Sequence, residues 1–357
     1  MTSPLQPSTG VRAPDADPRT LIRLRGPAEV AAALPYMLGF HPAESLVGIG
    51  IGANKRVTLT ARLDLGPPPY REQAAAMATY LRHASSVEAI LVVVSDLPKS
   101  VVKRAGTAAR VAARKAGMAV VDVMHVSDGR WWSLRCRNPR CCPPGGEVID
   151  QSLVGQFAAE LAALGRVVYP DRAAVTASIA YDQTAASEVR AALDAALAEQ
   201  DRLAATAGSG AVVDAGERIV GAAVIGRRDR PRDLTVDEIG RLGAALQLIA
   251  VRDRALRWTV SPLAEVAENV WYQLTRRLPS PYAAPAATLL AVQSYNAGDC
   301  TLAGDCAARA LTDDPRYTMA KLVAEAVMRA IPPGDFRAAM REAWLCDRRS
   351  RRSRRAA

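Results

Sequence analysis

Ala119-Val120-Val121-Asp122-Val123-Met124-His125-Val126-Ser127-Asp128-Gly129-Arg130-Trp131-Trp132-Ser133-Leu134-Arg135-Cys136 reads as a β-hairpin. Asp-Gly between apolar runs is the strongest short hairpin signal, because its two-residue turn needs positive φ at both positions. Centring the turn there pairs Ser127 with Arg130, Val126 with Trp131, His125 with Trp132 and Met124 with Ser133. Continued, the register pairs Val123 with Leu134, Asp122 with Arg135 and Val121 with Cys136. One face then carries Val121, Val123, Trp132, Leu134 and Cys136 and is expected to be core. Trp131 is left as the exposed aromatic, and Asp122 opposite Arg135 is expected to form an exposed cross-strand ion pair.

The hairpin runs into Cys136-Arg-Asn-Pro-Arg-Cys141-Cys142-Pro-Pro-Gly-Gly146, which holds three of the six cysteines. Thiols this dense form a metal site, a redox site or a structural knot. His125 would be the obvious nitrogen to complete a zinc site. Four residues separate it from Val121, the partner of Cys136, which is ~14 Å at ~3.4 Å per strand residue. Zinc ligands sit within ~2.3 Å of the metal, so His125 is excluded and reads as a half-buried residue stacked on Trp132. A structural zinc on Cys136, Cys141 and Cys142 needs a fourth ligand from afar, such as Cys300, Cys306 or a carboxylate. The spacing departs from the usual C-x2-C knuckle. A vicinal disulfide is a lesser rival. The favoured reading is reduced thiols packed as small hydrophobes under the Pro-Pro-Gly-Gly turn, although Arg135, Arg137 and Arg140 favour thiolates.

Upstream, Pro27–Leu38 reads as a helix with Pro in its first turn and Gly39 at its end. Leu46–Gly52 and Val57–Leu65 read as strands, the second cleanly alternating. A helix is expected over Tyr70–Ser85, an apolar strand over Ala89–Ser95 and a basic amphipathic helix over Ser100–Ala116. Downstream the pattern turns helical: Thr184–Ala205, a flexible break at Ala207-Gly-Ser-Gly-Ala, then Thr235–Leu256 opening on the capping box Thr235-Val-Asp-Glu238. Further helices are expected at Leu263–Leu278, Ala284–Ala297, Leu302–Thr312 and Tyr317–Ala330, with a last one from Asp335. Leu290, Gly298, Ala303, Ala310 and Pro315 fall at tetratricopeptide-repeat spacing, without its large aromatics. The fold class is therefore α/β, a mixed sheet with helices, followed by an all-α domain with a tetratricopeptide-like helical pair. The expected boundaries are a leader at 1–20, the α/β domain at 21–166, the helical domain at 167–346 and a basic tail at 347–357.

At 357 residues, half of them apolar, the chain is long enough for two cores. No apolar run spans a membrane, and Met1–Thr20 lacks the apolar stretch of a secretory signal. A reducing, cytoplasmic compartment is expected, with free thiols or thiol ligands. The net charge is +10. Half of it lies in Asp347-Arg348-Arg349-Ser-Arg351-Arg352-Ser-Arg-Arg, a solvated end or a salt-sensitive anchor for nucleic acid.

Other candidates are weaker. His41, Glu44 and Ser45 share a loop and are the catalytic candidates for a hydrolase, yet no G-x-S-x-G elbow is present. Gly48, Gly50 and Gly52 alternate along a strand and precede another strand. A dinucleotide fingerprint must open a helix, so they read as a face that accepts packed side chains. Trp131, Arg137 and Arg140, with Arg348, Arg349, Arg351 and Arg352 of the tail, are the candidate nucleic-acid contacts.

Taken together, Gly39-Phe-His-Pro-Ala-Glu-Ser45-Leu-Val, Asp128-Gly-Arg-Trp-Trp-Ser133, Cys136-x4-Cys-Cys-Pro-Pro-Gly-Gly146 and Gly298-Asp-Cys…Ala310-Leu…Asp-Asp-Pro315-Arg-Tyr carry a resemblance. The chain resembles an uncharacterised actinobacterial family, domain of unknown function 4192, from about Leu21 to about Arg337. The resemblance implies a lineage and no activity, cofactor or partner. The function expected from the residues is a non-enzymatic cytoplasmic interaction or regulatory protein with a macromolecular, protein partner. A hydrolase using the His41/Ser45 loop and a nucleic-acid-binding protein are the rivals.

Overall fold

The computed structural model describes residues 24–163 and 167–342. The chain divides after Ala174 into two compact units, with Met328–Pro332 grouped with the first. The leader and the basic tail lie outside the described residues.

The first unit is built on a six-stranded mixed sheet of order β2-β1-β3-β4-β5-β6. Its elements run α1 Pro27–Leu38, β1 Ser45–Ile51, β2 Val57–Asp64, α2 Arg71–His83, β3 Glu88–Val94, α3 Lys99–Lys115, β4 Ala119–Ser127, β5 Arg130–Ser133, β6 Glu147–Val148 and α4 Gln151–Ala162. β3 and β4 pair in parallel, with α3 as their crossover, and the other neighbours are antiparallel. All seven residues of β1 are buried, because helices cover both faces of the sheet centre. On one face Leu46, Leu91, Val93 and Val123 pack against Met77 and Leu81 of α2 and Val102, Ala105 and Ala109 of α3. The glycines of β1 serve this face. A Cβ on Gly48 would meet Met77, and one on Gly50 would meet Ser86. On the other face Ile49, Ile51, Ile90 and Met124, with Pro27 and Val30 of α1, line a cavity of about 100 Å³ that Asp122 also reaches. α1 ends at Gly39 (φ 79°), whose N–H bonds the carbonyl of Pro35. Sequence reading missed α4, which carries Phe157 against Tyr36 of α1 with ring centroids 6.0 Å apart.

The hairpin has the expected register at Ser127–Arg130, Val126–Trp131, His125–Trp132 and Met124–Ser133. Asp128 (φ 45°) and Gly129 (φ 66°) make the turn. One more bond, Leu134 N–H to Val123 C=O at 2.7 Å, extends it. Beyond that the expected pairing fails. The Arg135 guanidinium turns onto the carbonyls of Val120 and Val121 instead of pairing with Asp122, so Cys136 leaves the sheet half-exposed instead of entering the core. The aromatic assignment is reversed as well. Trp131 shares the face of Met124, beneath α1, and is only 8% exposed, whereas Trp132 is half-exposed. Alternation holds from Asp122 to Leu134, but a bulge between Val120 and Asp122 carries Val121 into the cavity lining instead of the face of Val123. Which face the helices cover at the sheet's end is a tertiary matter that alternation does not contain.

The second unit is helical. α5 Arg172–Ser178 spans the division between units, followed by α6 Ala186–Ile225, α7 Val236–Gln247, α8 Ile249–Ala255, a 3-10 turn Leu256–Val260, α9 Ala264–Arg277, α10 Ala284–Asn296, α11 Cys300–Asp313 and α12 Thr318–Met328. Residues 333–342 are also helical. Val189, Leu193, Ile239, Leu242, Trp271 and Leu289 belong to one core, and every residue of α10 is buried. The expected break is Gly208 (φ 82°, ψ 169°), but helix resumes beyond it to Ile225. The helix expected from Thr235 to Leu256 divides at Leu248 (φ −76°, ψ 112°). The Thr235/Glu238 capping box is present. Leu290, Ala303 and Ala310 are fully buried where α10 meets α11, and Gly298 (φ 83°) turns the chain between them. This is close packing of small residues, and one such pair does not establish a tetratricopeptide repeat.

Candidate metal centre

Past Leu134 the chain folds back on Asn138. The N–H groups of Cys141 and Cys142 both bond the Asn138 carbonyl, at 3.3 and 2.9 Å. The Asn138 side chain accepts from Arg140 N–H at 3.0 Å. This tight turn returns Cys141 and Cys142 to Cys136. The Cys136 and Cys141 sulfurs lie 3.2 Å apart, and all three Sγ atoms fall within 4.8 Å of one another. Cys141 is exposed, and Cys136 and Cys142 are half-buried. A tetrahedral zinc with Zn–S bonds of ~2.3 Å needs sulfurs ~3.8 Å apart. Three corners of that tetrahedron are thus available within about an ångström of where the sulfurs stand.

The thiols do not act independently. Hydrogen bonding from Cys141, then from the Asn138 backbone, then from Cys142, holds the Cys136 thiol below its ordinary range. The proton Cys141 shares with Cys136 pushes Cys141 up, and burial is the main cause that raises Cys142 to about 12. Cys136 is therefore the first of the three to ionise, because its neighbours hydrogen-bond to its sulfur. A cation arriving there finds in Cys136 the sulfur that gives up its proton most readily, and binding to all three displaces the protons they carry.

Ser133 fastens the loop to the sheet. Its hydroxyl donates to Asp122 Oδ1 at 2.8 Å and accepts from Arg135 N–H and Cys136 N–H at 3.3 and 3.2 Å. Burial raises the Asp122 carboxyl above the usual range against the opposing bonds from Ser133 and Val123 and the charge of Arg135. The Asp122–Ser133 contact was missed in the sequence. The two residues sit diagonally on one face of the expected register, and that adjacency is the signal the sequence carries for the contact.

The Pro-Pro-Gly-Gly turn docks on Trp132, whose indole N–H donates to the Pro144 carbonyl at 3.2 Å. A Cβ on Gly146 (φ 76°) would run into the Trp132 ring. Lys99 lies over the same ring at 5.8 Å and reaches the Pro144 carbonyl at 3.4 Å. His125 is buried, stacked on Trp132 with centroids 4.8 Å apart, and its Nε2 bonds the Ser95 carbonyl at 2.8 Å. It takes no part in the cluster. Cys306 is fully buried in the helical core. Among the described residues no further His, Cys, Asp or Glu joins the three sulfurs.

The catalytic candidates lie at the start of β1 and in the loop before it. His41 is exposed. Ser45 is buried, donates to the Ala43 carbonyl at 2.6 Å and accepts from Arg62 Nε at 2.7 Å. Glu44 is held by Ser95 Oγ at 2.8 Å and Asp96 N–H at 3.0 Å. Asp64 pairs with Arg62 at 2.7 Å. Of the nucleic-acid candidates, Arg137 and Arg140 are exposed, Trp131 is buried, and Arg348, Arg349, Arg351 and Arg352 lie outside the described residues. No helix among the described residues is long and apolar enough to cross a membrane.

No curated protein and no solved structure matches this chain. A family model does match, over residues 27–334, which include the sheet, the cysteine loop and the α10–α11 pair. The chain belongs to that family, described as Domain of unknown function (DUF4192).

Proposed function

We propose that this protein is a non-catalytic interaction protein whose α/β unit is stapled by a zinc ion held through Cys136, Cys141 and Cys142. The observation that carries the reading is the convergence of three sulfurs within 4.8 Å on a surface loop. A loop whose thiols are half-buried or exposed gains little from burial. Closing it on a cation replaces the S–H bonds with metal–thiolate bonds, the protons passing to solvent, and fixes Arg137 and Arg140 at the surface. Exposed Cys141 leaves the fourth position to water or to a partner's side chain. Where Ser45 spends its proton on a carbonyl and its lone pair on a guanidinium, the hydrolase reading gains no nucleophile.

Cobalt(II) titration of the reduced full-length protein tests the site. Thiolate coordination gives sulfur-to-cobalt charge-transfer absorption and intense tetrahedral d–d bands that zinc abolishes. Absence of both bands, or their persistence in Cys141→Ser/Cys142→Ser, overturns the assignment.

A further inference from the structure

We infer that the outer edge of α3, together with the cysteine loop, is a surface for the phosphodiester backbone of nucleic acid. The inference goes beyond the zinc assignment and does not require it. Lys99, Lys103, Arg110 and Arg114 fall at i, i+4, i+11 and i+15, a single stripe along a 3.6-residue helix about 22 Å long. α3 contains no acidic residue. Lys99, Lys103 and Arg114 are exposed and Arg110 is half-exposed.

Two contacts fix where the stripe points. Gly106 packs against Val123 and Leu134, so this side of α3 looks toward the hairpin. Lys99 at its near end bonds Pro144 and covers Trp132, so the stripe runs into the loop that carries exposed Arg137 and Arg140. Among the described residues, none of Lys103, Arg110, Arg114, Arg137 and Arg140 has a carboxylate within ion-pair distance. Uncompensated cations in a row attract a polyanion rather than a point charge.

A nucleic-acid strand carries one phosphate per ~3.4 Å of duplex axis, so the stripe lies along about six phosphates. Arginine adds paired N–H donors that match phosphate oxygens. A lipid surface is a poorer fit. The one strongly exposed large apolar residue of α3 is Val111, which leaves nothing for the acyl region to receive. With Trp131 buried and Trp132 covered by Lys99 and Pro144, base stacking contributes little and binding is blind to sequence.

The test is fluorescence anisotropy of the full-length protein with labelled RNA and duplex DNA of about 24 residues, across a salt series. Lys103→Gln/Arg110→Gln/Arg114→Gln is compared in the whole chain and with residues 347–357 deleted, and circular dichroism checks the fold. The expected result is at least a tenfold loss of affinity and a duplex salt slope shallower by about 3, in both backgrounds. Arg137→Gln/Arg140→Gln, on the loop instead of the helix, is expected to flatten the slope by about 2. Four results overturn the inference: no binding of either nucleic acid at low salt, unchanged affinity and slope in both variant sets, a variant effect that disappears once the tail is deleted, or binding to phosphatidylserine vesicles or polyglutamate with none to nucleic acid. Zinc content is read separately, so loss of metal and loss of this surface are distinguishable.

Discussion

Ser133 Oγ stands between Asp122 Oδ1, to which it donates at 2.8 Å, and the backbone N–H of Cys136, from which it accepts at 3.2 Å. One hydroxyl thus joins Asp122 of β4 to the first thiol of the loop. Because the strand register ends here, this bond takes over from backbone pairing in placing Cys136.

Replacing Ser133 with alanine removes the donor to a half-buried carboxylate and the acceptor of two backbone N–H groups. The expected loss is about 1–3 kcal/mol of unfolding free energy in urea, with weaker metal retention. Ser133→Thr keeps the hydroxyl and is expected to restore both. A Ser133→Ala protein as stable as the parent would mean that the loop is placed by other contacts.

Gly146 is the position where the turn needs glycine twice over. Its φ of 76° is left-handed, and a Cβ would enter the Trp132 ring. Gly146→Ala is expected to cost about 2 kcal/mol or more and to change the near-ultraviolet circular dichroism, as Trp132 loses its cover. An unchanged spectrum and midpoint would contradict the docking of the turn on Trp132.

In the helical unit, Glu238 accepts from Arg232, from Thr235 N–H in the capping box and from Arg227, which is 4% exposed. Hydrogen bonding from Arg232 is the largest influence holding its carboxyl down, at about 2. A depressed carboxyl binds fewer protons folded than unfolded. Its stabilisation is therefore complete above ~4.5 and lost as pH falls toward 2. Glu238→Gln is expected to cost about 3 kcal/mol at neutral pH by stranding a buried guanidinium, with the gap to the parent narrowing below pH ~4. Urea unfolding at both pH values decides it. A pH-independent difference would mean that the carboxylate's charge is not what holds Arg227.

Alkylation should sort the cysteines. Cys306 is fully buried, and burial drives its thiol well above the ordinary value. Cys141 is exposed beside Cys136, whose thiol is held below its ordinary range. Iodoacetamide on native, metal-stripped protein is expected to label the loop at neutral pH and to spare Cys306 until denaturant is added, with zinc protecting the loop. Labelling of Cys306 at the loop's rate would contradict the helical core.

Much of this was legible in the chain. Asp128-Gly129 set the hairpin and its register as far as Leu134, because turn geometry and alternation are local properties. The capping box at Thr235 and the break at Gly208 were legible for the same reason. What failed was coverage. Nothing local says that α1 lies over Trp131 while Trp132 meets Lys99 and a proline turn. The helices after Gly208 and before Ala162 were missed because their apolar spacing is diluted by alanine and glycine. For the site, strand register removed His125 as a ligand, and the structure has it bonded to Ser95. The return of Cys141 and Cys142 to Cys136 depends on the turn at Asn138, which spacing alone did not reveal.

The most direct measurement of the central claim is the metal content of full-length protein purified without chelator or oxidant, set beside Cys141→Ser/Cys142→Ser prepared identically. About one equivalent of zinc per chain in the parent and none in the variant is the expected result for a three-thiolate site. No metal in either protein, or the same metal in both, would contradict it.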